Sequence, residues 1–230
     1  MYKNIKKTFI FISFLLFCFS SNAHIKHYNE LKQLRFDLYR NNNFIGTHIY
    51  TFSKNDNKTV VESIIDFEIK KFGIVLYKHH TKGREVYDNG VLISFNSETV
   101  QNKKNKFCNI VLKESDYFIE GSSYTGKAPE NFIIGTWWNH QIIDSKEQIS
   151  AISGRIIKQK VTFLGKEKIQ IDQKKYNALH FNFSSTDKKL SKDKKLNTDV
   201  WYAEDSLIWL KATFKKKGFW EYRLINIEYF

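Results

Sequence analysis

The chain has 230 residues, of which 42% are hydrophobic and 16% aromatic, with a formal net charge of +13 and only two cysteines. This length can bury a hydrophobic core without cross-links, and two cysteines exclude a disulfide-rich scaffold. Nucleic-acid binding is not indicated, because the densest basic stretch, Lys188 to Lys195, contains no aromatic residue on which bases could stack. The positive charge instead favours attraction to an anionic membrane surface.

Residues 1–23 have the composition of a cleaved signal peptide. Three lysines near the amino terminus precede an apolar run, Phe9 to Phe19, which is too short to span a bilayer, and small residues follow it. We expect cleavage after Ala23 and export to the periplasm, with an uncleaved anchor as the alternative. Residues 24–230 contain no linker-like stretch and are predicted to form one domain. Its single cysteine, Cys108, lies in a strand-like context that favours a small buried residue.

Alternation of apolar and polar residues with a period of two predicts an antiparallel all-β fold. We expect about ten or eleven strands, because short turns separate the alternating runs. The strongest turn signal is Asn89-Gly90, which is typical of a tight hairpin, and a second turn is predicted at Gly165-Lys166. The alternating runs cover residues 35–40, 44–52, 61–69, 74–87, 91–100, 107–113, 117–120, 156–164, 169–171, 179–183, 199–214 and 219–230.

Residues 121–134 interrupt this alternation. They include two glycines and the only proline of the chain, so we expect a loop that leads into about one helical turn around Trp137 to His140. The other connections are local, which favours an up-and-down order, and a sheet of this many strands tends to curl or close. The predicted architecture is a curved sheet forming a barrel or half-barrel, with aromatic residues filling or lining its interior.

The last strand contains a change of phase. Trp220, Tyr222 and Leu224 share one parity, whereas Ile225 and Ile227 continue the apolar pattern on the other. Because a slip of one residue turns every following side chain to the opposite face, we predict a bulge or bend at Leu224-Ile225. The side chains of Trp220, Tyr222, Ile225 and Ile227 are then all expected to be buried. Trp220→Ala is expected to lower the free energy of unfolding by about 3–5 kcal/mol.

Several short blocks are similar to one family of exported bacterial proteins. They are Phe36-Asp37-Leu38 with Phe44 to His48, Phe72 to Tyr77 with His80 and Glu85, Trp138-Asn139 with Ser153-Gly154, and Val200-Trp201-Tyr202 with Trp209 and Phe214. The chain resembles in these blocks the family catalogued as domain of unknown function 6134, although Tyr87 stands where tryptophan is expected. The resemblance implies a periplasmic β-rich protein and no known activity. The closing hairpin is more distantly similar to curved-sheet lipoprotein carriers, which is an analogy of architecture.

No catalytic or cofactor-binding motif is present. The sequence has no G-x-S-x-G motif, no phosphate-binding or dinucleotide-binding loop, and no histidine pair with metal-ligand spacing. His79 and His80 are adjacent on a predicted strand, so they point to opposite faces and cannot readily share a metal. An amino-terminal His24 could chelate copper only with a second histidine, which the sequence does not place. We therefore predict neither a cofactor nor a metal.

The best candidate for a ligand site is the segment Trp137, Trp138, Asn139 and His140. It follows the longest loop and combines aromatic rings with polar groups, which suits a lid or plug at the mouth of a barrel. The alternative is that the tryptophans only cap the core. Four residues of the predicted strands are candidates for the same cavity: Tyr77, His80, Glu85 and Trp201.

These features favour a periplasmic protein that binds or carries a lipid or another apolar molecule. Two alternatives stay open. One is an enzyme of unrecognised type with His80, Glu85 and His140 as acid–base groups, which requires the three side chains to converge in one cavity. The other is a structural or assembly factor of the cell envelope, which would present a large exposed apolar patch and no internal cavity.

Overall fold

The computed structural model describes residues 28–191 and 194–230, so the predicted signal peptide and His24 lie outside the described residues. Most of the described residues belong to one sheet of 15 strands. The strands are β1 Leu31–Arg40, β2 Asn43–Asn55, β3 Lys58–Lys71, β4 Ile74–Asp88, β5 Val91–Gln101, β6 Lys104–Lys113, β7 Asp116–Gly121, β8 Thr125–Lys127, β9 Ile133–Ile134, β10 Glu147–Ile149, β11 Ile156–Ile171, β12 Lys174–Ser185, β13 Asn197–Ala203, β14 Trp209–Lys215 and β15 Phe219–Tyr229. A short 3-10 helix, His140–Ile143, lies between β9 and β10.

The strands follow one another as a meander, and the first strand, β1, pairs with the last strand, β15. β1 to β8 follow one another to one edge of the sheet, β15 back to β9 follow one another to the other edge, and β1 pairs with β15 in the middle. Neighbouring strands are antiparallel except for β9 and β10. The prediction of an antiparallel, up-and-down curved sheet is confirmed, and this sheet does not close into a barrel because the edge strands β8 and β9 do not pair.

The number of strands exceeds the expected ten or eleven for a local reason. The segment predicted as a loop, residues 121–134, contains the short strands β8 and β9, and β10 follows it. Strands of two or three residues are too short to show a period of two, so the alternation that reveals longer strands cannot reveal these. The helical turn expected around Trp137 to His140 lies slightly later, at His140–Ile143, with Asn139 as its N-cap.

Two turns at glycine residues were predicted, of which one is confirmed and the other is wrong. Asn89 and Gly90 have φ values of 49° and 84° and form the tight turn between β4 and β5, as expected. The turn predicted at Gly165-Lys166 is wrong, because β11 continues from Ile156 to Ile171 and its register to β12 shifts only between Phe163 and Gly165. An isolated glycine inside a strand more often marks a bulge than a turn. The chain reverses later, between β11 and β12.

The predicted bulge in β15 is present. Phe36 faces Leu224 and the preceding Arg35 faces Asn226, so Ile225 is the extra residue on β15. The expectation that four side chains around it are buried is wrong, because Trp220, Tyr222, Ile225 and Ile227 are all half-buried, while Leu224 and Glu221 are buried. The reason is that β15 is paired on both edges but covered only in part on its two faces, since half-buried residues occur on both of its parities. We therefore expect Trp220→Ala to cost less than the range for a fully buried aromatic.

The apolar core consists of two clusters of buried side chains. The larger one includes Phe36, Phe52, Trp138 and Trp209, and the smaller one surrounds Phe95 and Ile110. Cys108 is fully buried in the smaller cluster, as expected, and burial raises the pKa of its thiol to about 12. No helix among the described residues is long and apolar enough to cross a bilayer.

Candidate functional site

The segment between β8 and β11 folds against the face of the sheet that carries Tyr50, Glu85 and Tyr202, and it forms a plug, which we define as residues 128–155. The plug is held by its own backbone, since Gly135 N donates to Ile149 O at 2.9 Å and the parallel pair β9–β10 joins its two arms. Its 3-10 helix begins after Asn139, whose side chain accepts a hydrogen bond from Gln141 N. The predicted site segment therefore lies inside the molecule, between the arms of this plug.

Trp138 is the centre of the plug. Its side chain is fully buried and contacts three rings, Tyr28 at 5.2 Å, Phe52 at 5.3 Å and Tyr87 at 6.1 Å between centroids, all nearly perpendicular to it. Edge-to-face pairs of this kind are favoured by the ring quadrupoles. Trp138 Nε1 donates a hydrogen bond to Glu85 Oε1 at 2.8 Å, so the same side chain joins the plug to the floor of the sheet.

Glu85 is a buried carboxylate held by several donors. Besides Trp138, the hydroxyl of Tyr87 donates to Glu85 Oε2. Burial raises the pKa of Glu85 above its ordinary value, and the hydrogen bonds from Trp138, Tyr87 and Thr136 oppose this shift. A carboxylate placed in the core without such donors would be strongly destabilising, so the donors explain how the group is tolerated. The whole constellation fixes the plug in one position.

His140 takes part in a second hydrogen-bonded link. The hydroxyl of Tyr28 lies 2.7 Å from His140 Nδ1 and also accepts from His140 N at 3.0 Å. Since the backbone N–H must donate, the hydroxyl proton is available for the ring nitrogen. This pair ties the first described residue of the chain to the plug. It makes His140 a structural neighbour of Trp138 rather than a group that faces a cavity.

A cavity of about 190 Å³ lies between the plug and the sheet. It is bounded by strands β2, β3, β4, β5, β11 and β15 and by the plug. Its lining residues are His48, Tyr50, Ser63, Ile65, Thr81, Gly83, Phe95, Ser97, Gly135, Thr136, Trp137, Gln148, Ser150, Ala151, Ile152, Ile157 and Tyr222. Apolar surface predominates over polar surface, and the polar groups come from several strands, which is the usual composition of a small-molecule site.

Three aromatic side chains around this cavity carry buried nitrogen atoms without a hydrogen-bonding partner among the described residues. They are both ring nitrogens of His48 and the indole nitrogens of Trp137 and Trp209. His48 and Trp137 line the cavity directly, and the Trp209 ring lies 6.1 Å from the His48 ring and 5.4 Å from the Trp137 ring. Buried polar atoms are nearly always paired, so three such rings at one place require an explanation.

Trp137 is placed at this cavity by an unusual backbone conformation. Its φ is 55°, in the left-handed region that residues other than glycine rarely adopt. The carbonyl of Trp137 accepts a hydrogen bond from the Tyr202 hydroxyl at 2.9 Å, and its ring packs against Trp209 and Tyr222. Backbone outliers of this kind are often found where a side chain is held for binding.

His48 is kept neutral by its surroundings. Burial, with a smaller contribution from the nearby His79, lowers the pKa of its ring to about 3. The ring is only 5% exposed and packs against Tyr50 at 4.2 Å. A neutral imidazole offers one donor and one acceptor, and an indole nitrogen offers a donor. The cavity therefore presents hydrogen-bonding groups without a formal charge of its own.

A larger cleft of about 720 Å³ lies on the other side of Tyr87 and Asn139, against the outer arm of the plug. Its lining includes exposed charged residues such as Glu130 and Lys127. None of the unpaired buried polar atoms found in the described residues belongs to its lining. The cleft is the larger of the two spaces, but the chemistry of its lining is that of an ordinary solvated surface.

The residues predicted as one site occupy four different places. Glu85, Trp138, Asn139 and His140 lie together beneath or within the plug, and Trp137 lines the cavity. The remaining three lie elsewhere. Tyr77 lies near the beginning of β4 and packs beside Phe67. His80 and Trp201 lie on the outer face of the sheet.

His80 and Trp201 were expected to line the same cavity, and this expectation is wrong. Glu85 points to the interior, and His80 has the opposite parity on β4, so it points to the outer face. There His80 Nδ1 lies 3.6 Å from Asp66 Oδ2. Trp201 stacks on His180 at 4.2 Å and donates to Glu167, also on the outer face. The sequence did not show which way Trp201 points, because the residues of β13 from Val200 to Ala203 are all apolar or aromatic and do not alternate with polar ones. All four are buried in the structure.

The cavity is also lined by His48, Tyr222 and Thr136, which were not predicted as site residues. A signal for His48 existed, since it shares its parity on β2 with the buried Tyr50 and Phe52. A histidine on the inward parity of a strand is expected to be buried. The sequence could not show that His48 lies beside Trp137 and Tyr222 in one cavity, because the three residues are distant along the chain.

Comparison with known proteins is consistent with this architecture. The family model of Domain of unknown function (DUF6134) matches residues 36–225, from within β1 to within β15. The chain belongs to this family. The match covers β2 to β14, parts of β1 and β15, and the plug, so the resemblance seen in the sequence is confirmed.

One solved structure shares the fold of this family member. It is a crystal structure of a β-barrel-like protein of domain of unknown function DUF1849 from Brucella abortus, with a TM-score of 0.61 and 10% sequence identity, and the similarity covers 87% of this chain and 98% of that chain. A crystal structure of a DUF1329 family protein from Desulfovibrio piger has 9% identity over 90% of this chain and 88% of that chain, but its TM-score of 0.20 is too low to compare folds. No curated protein matches the chain.

Proposed function

We propose that this protein is an exported, periplasmic binding protein for a small, uncharged and mainly apolar molecule that carries a hydrogen-bonding oxygen. The single observation behind the proposal is the cavity of about 190 Å³ with unpaired nitrogens of His48 and Trp137 at its wall. A ligand oxygen that accepts from an indole N–H or pairs with the imidazole would satisfy these atoms. The signal-like amino terminus supports the location.

The size of the cavity limits the ligand. An engineered apolar cavity of about 150 Å³ is known to bind benzene, so about 190 Å³ suits a substituted ring or the end of a chain. A complete lipid is much larger and would have to leave most of its length outside. Binding of a whole lipid within the molecule, which the sequence favoured alongside other apolar ligands, is therefore less well supported than binding of a small ring compound.

The polarity of the cavity limits the ligand further. His48 is neutral because burial lowers its pKa to about 3, so no cation in the lining attracts an anion. A charged ligand would lose its hydration without gaining a counter-charge, which is strongly unfavourable. An alcohol, phenol or carbonyl compound loses much less. The proposed ligand class is thus neutral, with one oxygen positioned near His48 and Trp137.

The enzymatic alternative is poorly supported by the geometry. It required His80, Glu85 and His140 to converge, but His80 points away from the other two, and His140 pairs with Tyr28. Glu85 uses both carboxylate oxygens for hydrogen bonds to Trp138 and Tyr87. Glu85 and His140 hold the plug in place, and the three groups do not face a common space.

The proposal is tested by titrating the purified protein with 4-methylphenol and with 1,4-dimethylbenzene. The two compounds have the same shape, and only the first carries an oxygen. We expect saturable binding of the phenol, measured by calorimetry, and about tenfold weaker binding of the hydrocarbon, which is the value of roughly one net hydrogen bond. His48→Phe should remove most of this preference while leaving hydrocarbon binding in place.

Two matched variants locate the ligand. Ala151→Leu adds bulk to the wall of the cavity and should abolish binding, whereas Ala128→Leu adds the same bulk to the wall of the larger cleft and should not change it. Absence of saturable binding of either compound would refute the proposal. Loss of binding in Ala128→Leu with retention in Ala151→Leu would also refute it, because the ligand would then occupy the cleft.

A further inference from the structure

The hairpin between β3 and β4 projects beyond the strands beside it. Its pairing continues from Glu68 opposite Lys78 to Lys71 opposite Ile74. The ladder between β2 and β3 ends at Phe67, and the ladder between β4 and β5 begins at His79. Residues 68–78 therefore form a two-stranded ribbon without a neighbouring strand on either side, which we call the tip. A ribbon that is free on both edges is poorly stabilised by the rest of the sheet.

The tip carries exposed apolar side chains where a soluble surface would carry polar ones. Phe72 is 91% exposed, Ile74 is 66% exposed and Leu76 is 56% exposed, and Val75 is also exposed. Ile74 and Val75 are consecutive in a strand, so they present apolar groups on opposite faces of the ribbon. Contiguous exposed apolar groups of this kind mark an interaction site.

The turn of the tip contains a residue that is unfavourable for the conformation of the turn. Phe72 and Gly73 have φ values of 50° and 77°, the conformation of a type I′ turn, in which the first position strongly favours Asn, Asp or Gly. A phenylalanine with positive φ is unfavourable, and its ring makes no buried contact that compensates, since the residue is almost fully exposed. The cation of Lys71 lies 5.5 Å from the ring.

A collar of lysines borders the exposed apolar side chains of the tip. It consists of Lys70, Lys71 and Lys78, and the Glu68 carboxylate lies 3.0 Å from the Lys70 ammonium and 3.2 Å from that of Lys78. One carboxylate against three ammonium groups leaves the collar positive. Long lysine side chains can extend along an apolar surface and keep their charge at its boundary with water.

The same end of the sheet is basic beyond the tip. The antiparallel pairing brings the β5–β6 and β14–β15 turns and the β12–β13 connection to the end of the sheet where the tip lies. The exposed lysines described in these connections are Lys103, Lys104, Lys188, Lys189, Lys194, Lys195, Lys215, Lys216 and Lys217, and the described acidic residue among them is Asp187.

The turns at the opposite end are mainly acidic. They contain Asp56, Asp88, Glu114, Asp116, Asp172, Glu204 and Asp205, with basic residues at Lys58, Lys113 and Lys174. The two ends of the sheet therefore differ in charge, so an anionic surface attracts one end and repels the other. Such an asymmetry orients the protein before any contact forms.

We propose that the basic end of this protein docks on an anionic lipid bilayer, with Phe72, Ile74, Val75 and Leu76 inserted among the lipid headgroups and upper acyl chains. A protein groove would cover one face of a ribbon, whereas the hydrocarbon boundary accepts apolar side chains on both faces. The lysine collar lies where lipid phosphates would be, and apolar insertion combined with basic residues is the usual composition of an interfacial anchor.

Docking does not depend on the ligand proposed above. The tip and the cavity are separate, so Phe72→Asn should leave 4-methylphenol binding unchanged and Ala151→Leu should leave vesicle binding unchanged. Either proposal can fail while the other holds. Together they would describe a protein that meets its ligand at a membrane surface.

Binding is measured by co-sedimentation of the full chain with vesicles of phosphatidylcholine, with and without phosphatidylglycerol. We expect binding to the anionic vesicles that weakens as salt is added, because exposed charges are screened. Phe72→Asn should weaken it about tenfold, since one large apolar side chain no longer leaves water. Asparagine suits the positive φ of this turn, so the variant should fold at least as well.

Phe230→Asn is the matched control. Phe230 is 65% exposed and follows β15 at the opposite end of the sheet, so its replacement should not change vesicle binding. Residues 1–27 are common to all variants, and any contribution from them cancels in the comparison. Equal binding to neutral and anionic vesicles, no binding to either, or an equal loss in Phe230→Asn would overturn the proposal. In those cases the tip is a surface for a protein partner.

A second measurement reports on position directly. Tryptophan is placed at the tip by Phe72→Trp and at the opposite end by Phe230→Trp, and each variant is mixed with anionic vesicles that contain brominated lipid. We expect stronger quenching of fluorescence in Phe72→Trp than in Phe230→Trp, relative to the unsubstituted chain. Equal quenching in the two variants would show that the protein does not dock through the tip.

Discussion

Replacing Trp138 with alanine should lower the free energy of unfolding by about 3–5 kcal/mol, the range for removing a large aromatic side chain from a core. The ring is fully buried between Tyr28, Phe52 and Tyr87, so little rearrangement can fill the space that it leaves. Its loss also removes the indole donor of the Glu85 carboxylate. A small domain is stable by about 5–15 kcal/mol, so this single change would consume a large part of the margin.

Urea unfolding followed by far-ultraviolet circular dichroism measures this effect, with Trp220→Ala as the control. Trp220 is half-buried and its nitrogen donates to a backbone carbonyl, so we expect a smaller loss. Trp138→Phe separates the two causes, because it keeps most of the packing and removes the hydrogen bond to Glu85. That variant should cost about 1–3 kcal/mol, the value for a buried group left without a partner. Equal losses in Trp138→Ala and Trp220→Ala would show that the plug is not part of the stable core.

The protein should lose stability in mild acid because of His48. The folded pKa of this ring is about 3, against about 6.5 in an unfolded chain, so the unfolded state takes up the proton first. The contribution of His48 is therefore complete above about pH 6.5 and decreases as the pH falls towards 3. At about pH 4.5 the loss should reach about 2–3 kcal/mol, since each unit of pKa difference corresponds to about 1.4 kcal/mol.

The measurement is the free energy of unfolding as a function of pH, for the unsubstituted protein and for His48→Gln. The variant should be less sensitive to acid between about pH 6.5 and 4, because it lacks the buried titrating ring. His79, whose pKa burial lowers to about 4, is present in both proteins and its effect largely cancels in the difference. His80→Gln, on the outer face, leaves the buried ring of His48 in place and serves as the control, so its curve should keep the acid sensitivity that His48 causes. A His48→Gln curve parallel to that of the unsubstituted protein would contradict the prediction.

Local patterns predicted much of the sheet. Asn89-Gly90 and the phase change at Leu224-Ile225 were interpreted correctly, because each is a short-range constraint on backbone geometry. Gly165 was misinterpreted, because a glycine in a strand permits either a turn or a bulge, and only the register to β12 distinguishes them. Half-burial of Ile225 and Ile227 depends on how far the rest of the fold covers the two faces of β15, which alternation does not encode.

The candidate site was predicted in part. The segment from Trp137 to His140 was recognisable because glycine, proline and paired tryptophans interrupt the strand pattern. Glu85 was also placed correctly near it. His48 was not recognised, although its parity on β2 was available, because a single histidine on a strand says nothing about which rings surround it. The outward positions of His80 and Trp201 became clear only from the pairing of their strands.

The sequence by itself determined the fold class, the antiparallel meander and the family, because period-two alternation, turn residues and short motifs are local properties of the chain. Only the tertiary structure decided what the interior contains. The cavity lies between β2, β4, β15 and the plug, which are separated by many residues and meet through the curvature of the sheet. The basic end and its apolar tip arise in the same way, since antiparallel pairing gathers turns that are distant in sequence at one end. Contacts of this kind depend on the register and twist of many strands together, and no single stretch of sequence specifies them.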